Sequence, residues 1–225
     1  MKTLSRLSLL VSVLLLLLLP LMFGQLMMGG LAKLHLGAGT ALALMAAIIL
    51  GGLVNIPIKR ILREERVAAH PLAVFGVADF WPQLRRVRRE TVIAVNLGGC
   101  VIPSGLALYE LLRLGEVGGH ALLAAGIASA ANGGGCYFLA RPTPGIGIVM
   151  PGLVPAFIAA SLALILAPDA AAPVAFIAGV AGPLVGADLL HLKDVEKIAV
   201  GIASIGGAGT FDGIVLSGIV AAYLT

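Results

Sequence analysis

Long apolar stretches separated by short polar ones set the rhythm of this chain. They fall at about 9–28, 36–56, 91–112, 119–140, 145–167 and 172–192, with a last one inside 196–225. Each approaches the roughly 20 residues a helix needs to cross a bilayer, so the pattern predicts about seven transmembrane helices. The first run follows Lys2 and Arg6 and has no small-residue cleavage site, so it reads as an uncleaved signal anchor. One extended polar stretch, 57–90, interrupts the series.

Composition agrees with the pattern. The 225 residues are 60% hydrophobic and 12% charged, with a mean hydropathy of +1.07, against about 25% charged in an ordinary soluble domain. That much aliphatic surface needs lipid to accept it. The predicted fold class is therefore all-α, a polytopic transmembrane helical bundle forming a single integral membrane domain over 1–225. Cys100 and Cys136 lie inside apolar runs without metal-binding or Cys-x-x-Cys spacing, and read as small buried side chains.

The placement of the basic residues sets the orientation. With the N-terminus inside, the cytoplasmic segments hold Lys2, Arg6, Lys59, Arg60, Arg63, Arg66, Arg85, Arg86, Arg88, Arg89, Arg141, Lys193 and Lys197, which is 13 of the 15 Lys and Arg. Only Lys33 and Arg113 fall outside. This bias predicts a multi-pass protein of the cytoplasmic (inner) membrane, N-terminus inside and C-terminus outside. The stretch 57–90 becomes a cytoplasmic interfacial basic loop, too short for a core of its own. Ile61, Leu62, Val67 and Ala68 can share one face of a short helix there, and Phe75, Phe80 and Trp81 suit the headgroup layer. The expected partners are the bilayer and anionic lipid, attracted by about 1 kcal/mol per basic residue near the surface. Orientation already requires these charges, so no nucleic-acid partner is inferred. Nothing in the sequence sets the oligomeric state.

Glycine and proline add a second signal. Of 30 Gly and 12 Pro, many fall within the spans. Single glycines read as close helix packing. Runs of them cost about 1 kcal/mol each in a helix, so Gly133–Gly135 and the stretch containing Gly206, Gly207 and Gly209 are expected to break the later helices, as in transporters.

Candidate chemistry centres on two aspartates in the last two spans. Asp188 lies in Gly186-Ala-Asp-Leu-Leu and Asp212 in Gly207-Ala-Gly-Thr-Phe-Asp-Gly. An Asp at the centre of a span costs about 2.5–3.5 kcal/mol on insertion scales, so a function is the default hypothesis. Their register decides whether they meet. One continuous helix from Val195 would separate their depths by roughly 18 Å. Yet 196–225 would make about 45 Å of helix against a core of about 30 Å, and the chain's last residues are apolar. The excess is therefore placed at 195–205, with the final span starting near Gly206 and both carboxylates at one level near the cytoplasmic side.

Two carboxylates within a few ångströms cannot both ionise easily and share a proton. That is the chemistry of aspartyl hydrolysis, with one group as base on a water and the other as acid. It is equally the chemistry of a proton or cation site. Asn96, Arg141, His191 and Thr210 are the candidate helpers, with Arg141 able to pair with Asp188 and His191 expected to reach for the interface. No metal and no cofactor are inferred; Asp188, His191 and Asp194 make a weak ligand set. The leading reading is a protease-like aspartyl hydrolase acting on a membrane substrate. The alternatives are a proton- or cation-coupled transporter and a non-catalytic membrane scaffold or assembly factor.

Three motifs carry a family resemblance. Arg141-Pro-Thr-Pro-Gly-Ile-Gly-Ile-Val-Met-Pro151, Gly186-Ala-Asp-Leu-Leu and Ser204-Ile-Gly-Gly-Ala-Gly-Thr-Phe-Asp-Gly-Ile214 resemble a prokaryotic polytopic membrane family, domain of unknown function 1614. Ala94-Val-Asn-Leu-Gly-Gly-Cys-Val-Ile-Pro103 fits its middle section, and the resemblance covers about 50–225. It implies a membrane protein and carries no activity with it. More distantly, the order of Asp188 and then Gly207-x-Gly209 before Asp212 is similar to intramembrane aspartyl proteases of the presenilin and prepilin-peptidase kind. Their Gly-x-Gly-Asp is here parted by Thr210 and Phe211.

Overall fold

The computed structural model describes residues 18, 20–66, 86–143, 146–195 and 201–225, with 63–66 and 86–90 described as backbone. Helix α1 covers 20–33 and α2 Ala38–Gly51. Strands β1 (Asn55–Arg66) and β2 (Arg86–Asn96) come next, then α3 (Leu97–Val117) and α4 (Gly119–Leu139). A short hairpin, β3 (Arg141–Thr143) with β4 (Gly147–Val149), leads into α5 (Val154–Leu166) and α6 (Pro168–Leu189). Past the single turn Leu192–Val195 lie β5 (Ile202–Ile205), a 3-10 turn at Gly209–Phe211 and α7 (Gly213–Leu224).

Two helices occupy the centre. In α6 every residue from Val174 to Val180 is buried, and in α7 every residue from Ser217 to Ala222. A helix apolar and buried on all sides belongs in an interior. Small residues let the backbones close up around them: a Cβ added at Gly179 would lie 2.7 Å from the Ser217 carbonyl. One added at Gly186 would strike the Gly133 carbonyl oxygen, and one at Gly182 the Asn132 side chain. This explains one departure from the sequence reading. Gly133–Gly135 does not break α4, which is helical throughout Gly119–Leu139. The close approach to α6 is made by the glycines of α6 itself, Gly182 and Gly186, while a Cβ at Gly133 or Gly134 would meet open space.

The chain is mostly helical, and α3, α4 and α6 are long and apolar enough to cross a membrane. The apolar helices α2, α5 and α7 have 14, 13 and 12 residues. At 1.5 Å per residue the longest of these spans about 21 Å, short of a core of about 30 Å.

The all-α expectation fails in the polar stretch and beside it. Strands β1 and β2 form an antiparallel pair from Asn55↔Asn96 to Arg66↔Arg86, with a bulge between Pro57 and Lys59. β5 joins β2 in parallel, giving the order β1-β2-β5. Ile61 and Leu62 therefore lie on a strand and not on the interfacial helix expected of them; Val67, Ala68, Phe75, Phe80, Trp81 and Arg85 fall outside the described residues. The physical reason is composition: Ile56, Ile58, Ile61, Thr91, Val92, Ile93 and Val95 are β-branched and fit a pleated surface better than a helix. Pro57 sits on β1, an edge strand, where its missing N–H is tolerated. The third apolar run accordingly turns helical only at Leu97, the fifth opens with the β3–β4 hairpin, and the last is helical only from Gly213.

Glycine substitutions test this packing. Gly186→Ala drives a Cβ into the Gly133 carbonyl and is expected to destabilise the fold by about 1–3 kcal/mol, the range for overpacking. Gly134→Ala meets open space and is expected to be neutral, or to stabilise by up to roughly 1 kcal/mol through helix propensity. Thermal unfolding of both variants in one detergent measures the difference.

Candidate functional site

The site grows out of a junction of glycines. The end of α2 at Gly51-Gly52, the start of α3 at Gly98-Gly99 and the turn at 206–209 meet backbone to backbone. A Cβ on Gly98 would strike the Ile48 carbonyl oxygen and the Gly52 amide, and one on Gly99 the Gly206 carbonyl oxygen. Gly206 (φ 72°) and Gly209 (φ 60°) adopt the left-handed conformation that glycine accommodates without strain. The expected chain break at Gly206, Gly207 and Gly209 is therefore present, as a strand end and a 3-10 turn.

Asn96 locks the junction. It is wholly buried; its Nδ2 donates to the Gly52 carbonyl at 2.8 Å and to Asn55 Oδ1 at 3.1 Å, while its Oδ1 accepts the Gly99 N–H at 2.7 Å. Ser204 Oγ donates to the same Asn55 oxygen at 2.6 Å, tying β5 to β1. All of the hydrogen-bonding groups on Asn96 face backbone or Asn55, so this expected helper positions the site and does not line it.

Asp188 and Asp212 reach a common cavity from opposite sides of the break. The last turns of α6, Gly182–Leu189, widen into a π-helix at Pro183, which has no N–H to give. Asp188 lies in this segment and lines the cavity. Asp212 is the N-cap of α7, so it stands just outside the last helix and not within it as the sequence pattern implied. Its Oδ1 accepts the Ile214 N–H at 3.0 Å and its Oδ2 the Ala208 N–H at 3.3 Å. Burial pushes the Asp212 carboxyl above the usual carboxylate range, while the Ile214 and Ala208 N–H groups pull the other way.

The cavity measures about 430 Å³. Asp188, Asp212, Asn55, Ser204, Gly207 and Ala208 supply its polar lining; Ile93, Ile146, Ile148, Leu192, Val195, Ile202 and Ile205 supply apolar walls. Its size is that of a small-ligand pocket. Two carboxylates facing one space, with backbone N–H groups fixing the orientation of Asp212, are equipped to hold and pass a proton.

The other expected helpers lie elsewhere. Arg141 is exposed on β3 and does not pair with Asp188. His191 is 7% exposed and turned inward, against the expectation that it reaches for the interface. Its Nδ1 stands 3.1 Å from the Gly186 and 3.0 Å from the Ala187 carbonyl oxygen, so Nδ1 carries the hydrogen and donates. Its ring also packs on Tyr137, with centroids 4.8 Å apart. This closes the π-helical segment from below. Thr210 sits in the 3-10 turn, outside the lining. Among the described residues no group of three or more His, Cys, Asp and Glu is arranged to hold a metal. Asn55, Ser204 and the Ile146–Ile148 wall went unread in the sequence; the one available signal was an Asn placed just after the glycines that end α2.

The fold and the site define a helical membrane-type protein with a small sheet and a cavity holding two carboxylates at one end of its bundle. The chain belongs to the family described as protein of unknown function (DUF1614), whose family model matches residues 49–224. No curated protein and no solved structure matches it.

The capping role of Asp212 predicts a separation of stability from chemistry. Asp212→Ala is expected to cost about 1 kcal/mol of stability and Asp212→Asn, another good N-cap, only a few tenths. Chemical unfolding monitored by circular dichroism compares the two.

Proposed function

We propose that this protein is a membrane-embedded aspartyl hydrolase that cleaves a peptide bond of a membrane-associated substrate. The observation that carries the reading is the shared cavity of Asp188 and Asp212. Asp212, with two N–H donors on its carboxylate, acts as the base on a water held between the pair. The water oxygen attacks the carbonyl carbon, Asp212 takes the water's proton, and Asp188 gives its proton to the carbonyl oxygen. The C–N bond of the tetrahedral diol then breaks, the amine leaving with the proton from Asp212 while Asp188 regains one from the diol hydroxyl. Dense packing below the cavity favours this reading over transport: Ala175 and Ala178 are fully buried and Gly182 lies against Asn132.

The proposed setting is the cytoplasmic membrane, with about seven crossings, the N-terminus inside and the cavity at the cytoplasmic end. Support comes from the 13 of 15 Lys and Arg on that side. The helices too short for a full core are accommodated by local thinning of the bilayer, a modest cost per ångström. In this setting the β1–β2 ribbon lies against anionic headgroups.

Two measurements test these proposals. Terminal-peptide mass spectrometry of membranes from cells making the wild type is expected to reveal new N-termini that vanish with Asp188→Asn and with Asp212→Asn at equal protein level. Identical termini in both variants exclude the hydrolase; pH-dependent uptake into vesicles without new termini favours transport. For orientation, Arg60→Cys in a Cys100→Ala, Cys136→Ala background is expected to react with an impermeant thiol reagent only after the cytoplasmic face is opened, and Lys33→Cys in intact cells. The reverse pattern overturns the topology.

A further inference from the structure

The wall of the cavity contains an unused strand edge. β5 pairs with β2 on one side and, among the described residues, ends the sheet on the other. The Val92 N–H donates to the Gly201 carbonyl at 3.0 Å, and in a parallel ladder alternate residues face the partner. Gly201, Ala203 and Ile205 therefore turn their backbone groups to β2, while Ile202 and Ser204 turn theirs away. The Ser204 carbonyl is taken by the Gly207 N–H at 2.9 Å. That leaves the Ile202 N–H, the Ile202 carbonyl and the Ser204 N–H without a partner among the described residues. All of β5 lines the cavity, as do Gly147 and Ile148 of β4, itself an edge of the two-stranded sheet.

From this geometry we infer that the cavity binds its substrate as an extended peptide segment, added as a further strand to the free edge of β5. Docking stands independently of the hydrolase reading, on which only the cleavage step rests. A strand at this edge gains main-chain hydrogen bonds, which give affinity, while its alternate side chains meet the walls, which give selectivity. Ile93, Ile148, Leu192 and Val195 suit apolar side chains, and the carboxylates disfavour an acidic one. Peptide addition also fits the chemistry, because it presents an amide carbonyl beside Asp188 and Asp212 with its backbone held straight. The Ser204–Asn55 hydrogen bond at 2.6 Å keeps the receiving strand in place.

The test uses the full chain in lipid nanodiscs and a neutral eight-residue peptide of Ala, Leu and Val carrying a benzophenone amino acid. Irradiation is expected to label residues within 202–205 or 146–148, located by mass spectrometry. A set of the same peptide with single N-methylated amides then reads the ladder. Labelling is expected to fall about tenfold at every second amide, the cost of one lost main-chain hydrogen bond with its partner left unpaired, and little at the amides between. Labelling elsewhere, no labelling, or a loss independent of which amide is methylated overturns the inference. Asp188→Asn and Asp212→Asn are expected to keep the period-two pattern. If that pattern persists while no cleavage products are found, docking stands and the hydrolase falls. If cleavage depends on both aspartates but the pattern is missing, the hydrolase stands and strand addition falls.

Discussion

Backbone touches backbone where α2 ends, α3 begins and the 206–209 turn passes, and the rest of the structure depends on that contact. It is possible only because Gly98, Gly99 and Gly206 have no side chains: a Cβ at any of them would overlap a neighbouring main-chain atom. The approach brings β5 alongside β2 and starts α7 at Asp212. The packing of α6 on α7 works with it to bring Asp188 and Asp212, 24 positions apart in the chain, to one cavity. A single methyl group in the wrong place would separate the sheet from the bundle before it altered any charged group.

Irregular backbone so close to a helical bundle needs partners, because an unpaired N–H or C=O away from water costs about 1–3 kcal/mol. The structure supplies them from a few side chains. Asn96 serves three groups at once, Asp212 takes two N–H donors and His191 holds two carbonyls at the end of α6. Membrane proteins tolerate such stretches where they are buried in protein or line a cavity, and here the 202–208 segment lines one. At the far end of α3 a charge plays the same part. Glu110, 2% exposed, pairs with Arg113 at 3.3 Å, and Arg113 also donates to the Leu34 carbonyl at 3.1 Å. That pair ties α3 to the end of α1.

Asp212 thus has a structural duty, as the cap of α7, that is compatible with the proposed chemistry. It holds the turn before it through two backbone N–H groups, and that fixes where its free lone pairs point. In the proposed hydrolase, a carboxylate anchored in this way needs no reorganisation when a substrate arrives, as a preorganised acid–base site requires. The neighbouring edge of β5 gives the site a direction as well as a charge.

Much of this was legible in the chain itself. Apolar runs located α4 and α6 to within a few residues, and a surplus of length after 196 required a break before the last helix, although that helix was expected from Gly206 and starts at Gly213, with Asp212 as its cap and not inside it. Those are consequences of helix rise and hydrophobicity, both local quantities. What remained hidden is non-local. The stretch 57–90 carried β-branched residues among its charges, and whether these form a helix or a ribbon is decided by a partner strand about 30 residues away and by β5, more than 100 further on. The glycines of 133–135 look like a break in sequence yet lie within a continuous helix, and the glycines that let α4 and α6 close up are Gly182 and Gly186 of α6. Asn96 and His191 look like site residues and are taken up by backbone. The sequence alone determined an apolar, mostly helical chain with two candidate carboxylates; the tertiary structure decided which of its polar groups bind one another and which are left to face the cavity, since hydrogen-bond partners far apart in the chain are chosen by close approach and not by composition.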